Sequence, residues 1–238
     1  MAVQTTQDPA PAALLTLSAL AVAHPLELAQ PIALALFYGF STQVWHARKH
    51  WTRSRAFGVA NTITALRALA VIGTLFVGNL SPVVLVWVFA LCLLMDGIDG
   101  WLARRLDLDS SFGAEFDCAA DAALVLAVSV AATWLHDGPS WWLLPGMLRY
   151  LLLVNAAGQA PPGITQSRSE RLWARWAYAA AVSALIASLL VPTPVAYLLL
   201  AAVTAALLSS FATDFRHLWR QPTVSTRWRD ARHLDKIA

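Results

Sequence analysis

Six apolar stretches, near residues 61–79, 82–103, 113–135, 141–158, 172–191 and 194–214, follow one another with short polar links between them. A helix of roughly 20 apolar residues is long enough to cross a bilayer. Inside lipid each segment must satisfy its own backbone polar groups, which a helix does. Hydrophobic residues make up 58% of the chain and charged ones 13%, a balance that points to membrane spans rather than a soluble core. The expected fold is therefore an all-α integral membrane protein with a six-helix transmembrane core and an additional N-terminal hydrophobic segment.

That extra segment covers 12–46 and is interrupted by Pro25 and Pro31, which leaves either one long span or a helical hairpin. The expected organisation is an N-terminal segment with a basic juxtamembrane stretch over 1–56, a six-span membrane domain over 57–216 and a basic tail over 217–238. The stretch from Trp45 to Arg55 reads either as a surface-lying amphipathic helix or as a solvated loop. Ala21-Val22-Ala23 after an apolar run resembles a signal-peptide cleavage site, but the n-region carries Asp8 and no basic residue, so cleavage is not expected.

Lys and Arg cluster at 48–55, 104–105, 168–175 and 216–236, whereas the links near 80, 136–140 and 191–194 carry none. Such a bias places the basic links on the cytoplasmic side. The expected location is a bacterial inner membrane. The net charge of +3 follows from these anchors and calls for no nucleic-acid partner; membrane lipids are the expected partners. Cys92 and Cys118 both fall in apolar stretches and imply no disulfide framework. The histidines lie near links and receive no catalytic role.

Against this apolar background, half of the chain's 14 acidic residues lie between 96 and 121. Asp96 and Asp99 are spaced i, i+3 near the end of one stretch; Gly113, Asp117 and Asp121 follow at i, i+4 steps at the start of the next. On helices each set forms a stripe on one face. A short link makes the two segments antiparallel neighbours, so carboxylates meet carboxylates. Like charges share such a site only if cations neutralise them or protons bind. Oxygen-only ligands suit Mg²⁺ or Mn²⁺ rather than zinc. Gly97, Gly100, Ala103 and Gly113 leave the backbone bare for a bulky ligand, and Arg104 places a cation at the rim, eight residues or roughly 12 Å from Asp96. The pattern describes a pocket for a metal-bound diphosphate within reach of the cytoplasm.

The run Asp96-x2-Asp99-Gly100-x2-Ala103-Arg104-x8-Gly113-x3-Asp117-x3-Asp121 resembles the signature of the CDP-alcohol phosphotransferase family, with every position filled. The resemblance implies transfer of a substituted phosphate group, such as phosphatidyl, from a CDP-alcohol like CDP-diacylglycerol to an acceptor alcohol, releasing CMP, in phospholipid biosynthesis. It implies Asp96, Asp99, Asp117 and Asp121 as ligands of Mg²⁺ or Mn²⁺, a pair of ions in all, with Asp121 also the general base. Gly100, Ala103, Arg104 and Gly113 would line the nucleotide. A homodimer is the assembly the resemblance carries.

Asn61-x2-Thr64-x2-Arg67 is similar to a further stretch of that family, and Thr64 and Arg67 are expected to close the nucleotide pocket from the side. Arg149, deep in the fourth stretch, needs a carboxylate or a ligand phosphate there and is a candidate for binding the acceptor, as are Arg168 and Arg171. The family's basic pattern departs here to Thr165-Gln166-Ser167-Arg168-Ser169-Glu170-Arg171, which leaves the acceptor unassigned. The competing class is a divalent-cation transporter or channel using the same acids. A transporter calls for polar residues along several helices and a path to both faces; here the acids crowd one face.

Overall fold

The computed structural model describes residues 10–26, 28–49, 51, 57–105, 110–155 and 168–220, with the backbone alone at 24–26, 49, 99–105, 111, 152–153, 155, 168–175 and 210–220. Among the described residues there are eight α-helices: α1 (Ala10–Leu26), α2 (Gln30–His46), α3 (Val59–Val77), α4 (Pro82–Arg105), α5 (Ser111–Leu135), α6 (Leu144–Asn155), α7 (Arg168–Ala187) and α8 (Thr193–Arg220). Short 3₁₀ turns occupy Ala47–Lys49 and Ser140–Leu143.

Of the two readings of 12–46, the structure adopts the hairpin. Pro31 sits in the first turn of α2, where its missing N–H goes unmissed. α1 packs on α2, α1 also on α6, and α2 on α3. The C-terminal end of α2 passes into the 3₁₀ turn at 47–49; residues 52–56 lie outside the described residues, so only the first part of the Trp45–Arg55 stretch is seen.

α5 is the axis of the molecule. It contacts α2, α3, α4, α6 and α7, and an almost unbroken run of its residues, from Ala122 to Val130, is buried. Alanines at 120, 123 and 127 let neighbouring helices come close. The closest approach is from α6: a Cβ at Gly146 would stand 2.6 Å from the Leu126 Cα, so only glycine fits that crossing. α6 starts at Leu144 rather than 141, and residues 156–158 of the stretch read from hydropathy lie outside the described residues. Its first turn holds Pro145, and the residues before it wind as a 3₁₀ turn that buries Trp142. α7 begins at Arg168 rather than 172 and ends at Ala187, and α8 extends to Arg220. Hydropathy registers only the apolar part of a helix, so charged turns at 168–171 and 215–220 escaped it.

Two of the described helices, Val59–Val77 and Phe112–Leu135, are long and apolar enough to cross a membrane. Large apolar side chains also face outward: Trp87, Leu94 and Leu198 are each about 70% exposed, and Phe76 and Leu91 more than half. Soluble monomers rarely leave such surface uncovered; a lipid environment covers it.

Candidate active site: three carboxylates around one guanidinium

α3 packs along both α4 and α5, more extensively than those two pack on each other. Its polar face therefore points at both acidic stripes. Asn61, Thr64 and Arg67, at i, i+3, i+6, are all buried. Arg67 is 2% exposed. Its Nη1 donates to Asp96 Oδ1 at 3.1 Å and to Asp117 Oδ1 at 2.9 Å, and its Nη2 donates to Asp121 Oδ1 at 2.7 Å. One planar fork thus ties a carboxylate of α4 to two of α5, the geometry at which arginine excels.

The sequence pattern assigned Arg67 to the nucleotide and left the acids as a set needing external cations. In the structure the chain supplies a cation of its own, and this fork is turned to the carboxylates. The side chain does not snorkel toward an interface. The signal was available: a basic residue within an apolar helix needs a partner, as holds for Arg149. Thr64 donates to the Ala60 carbonyl at 3.2 Å on the same face.

Asp96, Asp117 and Asp121 each present an oxygen, all within 4.8 Å of one another, and each side chain is about a quarter to a third exposed. Three hard oxygen donors converging from two helices, open on one side, fit a divalent ion of the Mg²⁺ or Mn²⁺ type. The spacing of the stripes therefore translated into convergence. Asp99, Gly100, Ala103 and Arg104 lie on the α4 backbone, but their side-chain surroundings fall outside the described residues, as do those of Arg168 and Arg171 on α7.

Gly113 has a second reason to be glycine. Ser110 caps α5, its Oγ accepting from the Gly113 N–H at 2.9 Å and donating to the Trp51 carbonyl at 2.8 Å. A Cβ at Gly113 would come within 3.0 Å of Asn61 Oδ1 and 3.1 Å of Ser110 Oγ. The space expected for a ligand is here taken by Asn61, whose Nδ2 donates to the Phe57 carbonyl at 2.6 Å. A Cβ at Gly97, by contrast, would meet nothing within 4 Å among the described residues, which leave the α4 backbone next to Asp96 open.

The N-terminal turns of α5 are seated by rings. Phe112 and Phe116 are buried and stack at 5.3 Å, Phe57 approaches both, and Phe40 of the hairpin meets Phe116 edge-on at 5.6 Å. Two further residues complete the surroundings. Tyr178 of α7 brings its hydroxyl 3.5 Å from the Asp121 carbonyl, a neighbour with no signal in the Ala-rich sequence around it. Arg149 stands on α6, which packs against α5; it is half-buried, and its Nε is buried with no hydrogen-bond partner among the described residues. Cys92 is buried, Cys118 half-buried, and both are free thiols.

The family model for CDP-alcohol phosphatidyltransferase matches residues 57–211, and the chain belongs to that family. The matched region begins just ahead of α3 and ends within α8, so it leaves out the α1–α2 hairpin. Comparison with curated proteins and with solved structures found no match.

Proposed function

We propose that this chain transfers a phosphatidyl-type group from a CDP-alcohol, with CDP-diacylglycerol the best-fitting donor, to an acceptor alcohol, releasing CMP. The observation that carries this reading is the convergence of Asp96, Asp117 and Asp121 within 4.8 Å of one another, inside the region matched to the family.

In the proposed reaction a new bond forms between the acceptor oxygen and the phosphorus of the substituted phosphate. The diphosphate bond to CMP breaks, and the acceptor hydroxyl's proton passes to Asp121. A carboxylate serves as that base only within hydrogen-bond reach of the hydroxyl. Mg²⁺ or Mn²⁺ held by Asp96, Asp99, Asp117 and Asp121 would polarise the diphosphate and offset the charge leaving with CMP.

The remaining roles fall to the chain. Arg67 holds the α4 and α5 carboxylates at one fixed spacing, so the cluster is organised ahead of ligand binding. Gly100, Ala103 and Arg104, with Thr64 behind them, are assigned to the nucleotide; Gly113, whose open side is filled by Asn61, instead admits the close approach of α3. Arg149 is assigned to a phosphate-bearing acceptor, since its buried Nε is without a partner among the described residues and a bidentate phosphate would satisfy it. Arg168 and Arg171, at the start of α7, are assigned to the same acceptor. The Lys/Arg bias supports a cytoplasmic orientation of the site, in what we take to be a bacterial inner membrane.

The test is CMP release by purified protein from CDP-diacylglycerol with a panel of acceptors, including glycerol phosphate, inositol phosphate and serine, in Mg²⁺ or Mn²⁺. Acceptor-dependent CMP release that stops in chelator supports the reading. Failure with every acceptor while the protein is folded rejects CDP-diacylglycerol as donor.

A further inference from the structure

Between the hairpin and the matched domain lies an apolar cavity of about 430 Å³, within the size range of small-molecule sites, roughly 300–1,000 Å³. α2 gives it a helical stripe of Phe37, Phe40, Ser41 and Val44, continued by Arg48 of the following 3₁₀ turn. The twelve residues from Phe37 to Arg48 span roughly 16 Å at the helical rise, close to the hydrocarbon depth of one leaflet, about half of the roughly 30 Å core. Apart from two indoles, its polar side chains among the described residues are Ser41 and Arg48, and none of the described lining residues is acidic.

Arg48 is exposed at the end of the stripe, where α2 has passed into its 3₁₀ turn; its guanidinium carbon lies 4.6 Å above the Trp45 ring. A cation stacked on an indole at the end of a leaflet-deep apolar groove matches an anionic headgroup followed by an acyl chain.

The groove faces away from the carboxylates. Its α3 wall is Ala65, Ala68, Leu69 and Ile72; at roughly 100° per residue that face points about 150° from Arg67. A lipid seated there is not presented to Asp121. Phe116 joins the two places: it lines the groove, meets Phe40 edge-on and directly precedes Asp117.

We propose that this groove is a binding site for a non-reacting anionic phospholipid of the surrounding membrane. One acyl chain lies between α2 and α3, and the phosphate sits on Arg48. The lipid buttresses the aromatic seat of α5, which makes the order of the carboxylate end depend on the anionic lipid around it. One wall of the groove comes from α2, outside the region matched to the family.

The test uses full-length protein in neutral detergent, stripped of lipid and titrated with phosphatidylglycerol or phosphatidylcholine of identical chains. Native mass spectra and thermal unfolding are the readouts. The expected result is one retained phosphatidylglycerol and a rise in unfolding midpoint that phosphatidylcholine does not match. Arg48→Gln, an exposed change, should weaken phosphatidylglycerol binding roughly tenfold, as expected for one charge-assisted hydrogen bond, and abolish the headgroup preference. Ser41→Trp, which fills the groove from an exposed position, should remove the adduct. Equal stabilisation by both lipids, or an unchanged adduct in both variants, overturns the proposal. A raised KM for CDP-diacylglycerol in Ser41→Trp, with phosphatidylglycerol binding intact, makes the groove the donor's site and overturns it as well. None of the binding readouts depends on turnover, so the proposal stands or falls apart from the assigned reaction.

Discussion

The two ends of α5 are built on opposite plans. At its far end His136 is held by the Ser188 carbonyl at 2.8 Å and the Thr193 hydroxyl at 3.2 Å, while Trp142 is fully buried against the His136 and Tyr197 rings. Apart from the exposed Asp137 in the following turn, that end is held by neutral contacts. Further back along the helix, roughly 22–28 Å away, Asp117 and Asp121 stand half-open with Asp96 around Arg67. These four groups carry two negative charges in excess when ionised. An excess of charge near apolar surface is costly unless a ligand balances it. One end of the helix holds the fold together; the other leaves charge for a partner to balance.

The contrast breaks first at Asp121. Asp121→Asn should lower turnover by about 10²–10⁴-fold, the usual contribution of a general base, in a turnover assay of the purified variant. Its unfolding midpoint should stay near wild type or rise, because a like charge leaves the cluster. Lost stability with retained turnover would make Asp121 a structural group and erase the difference between the ends.

Trp142→Ala should do the reverse. Truncating a fully buried tryptophan costs about 3–5 kcal/mol, seen as a large drop in unfolding midpoint. The turnover of the fraction that stays folded should be unchanged, because the indole packs only within the closed end, far from the carboxylates.

Gly113→Ala sharpens the comparison on a smaller scale. The added methyl meets Asn61 Oδ1 and Ser110 Oγ, and overpacking of this kind costs about 1–3 kcal/mol. Unlike Trp142→Ala, it should also reduce turnover, since the same turn carries Asp117. A stable, fully active Gly113→Ala would mean that Asn61 yields freely and that α3 does not set the position of α5.

The carboxylates were legible because helical periodicity is carried by spacing alone: i, i+3 on one segment and i, i+4 on the next convert into faces without knowledge of the packing. The helix that would insert beside them was not legible. The short link between the acidic segments implied that α4 and α5 face each other directly, whereas α3 packs along both and delivers Arg67. Gly113 shows the same limit. A missing side chain in sequence means that something comes close, and only packing reveals that it is Asn61. The hairpin was half-legible: Pro25 and Pro31 marked an interruption, but a proline pair does not distinguish a kink from a turn. Tyr178 had no sequence signal, since a tyrosine in an alanine-rich helix is ordinary until α7 is placed against α5.

The most direct test of the central claim is Mn²⁺ binding followed by electron paramagnetic resonance on purified protein without substrate. The account predicts bound Mn²⁺ in the wild type and in His136→Ala, and a loss of at least roughly tenfold in affinity in Asp96→Asn, Asp117→Asn and Asp121→Asn, since each removes one oxygen charge from a hard-ion site. Mn²⁺ held equally well by all four variants would contradict it and place the divalent-ion site away from the Arg67 carboxylate cluster.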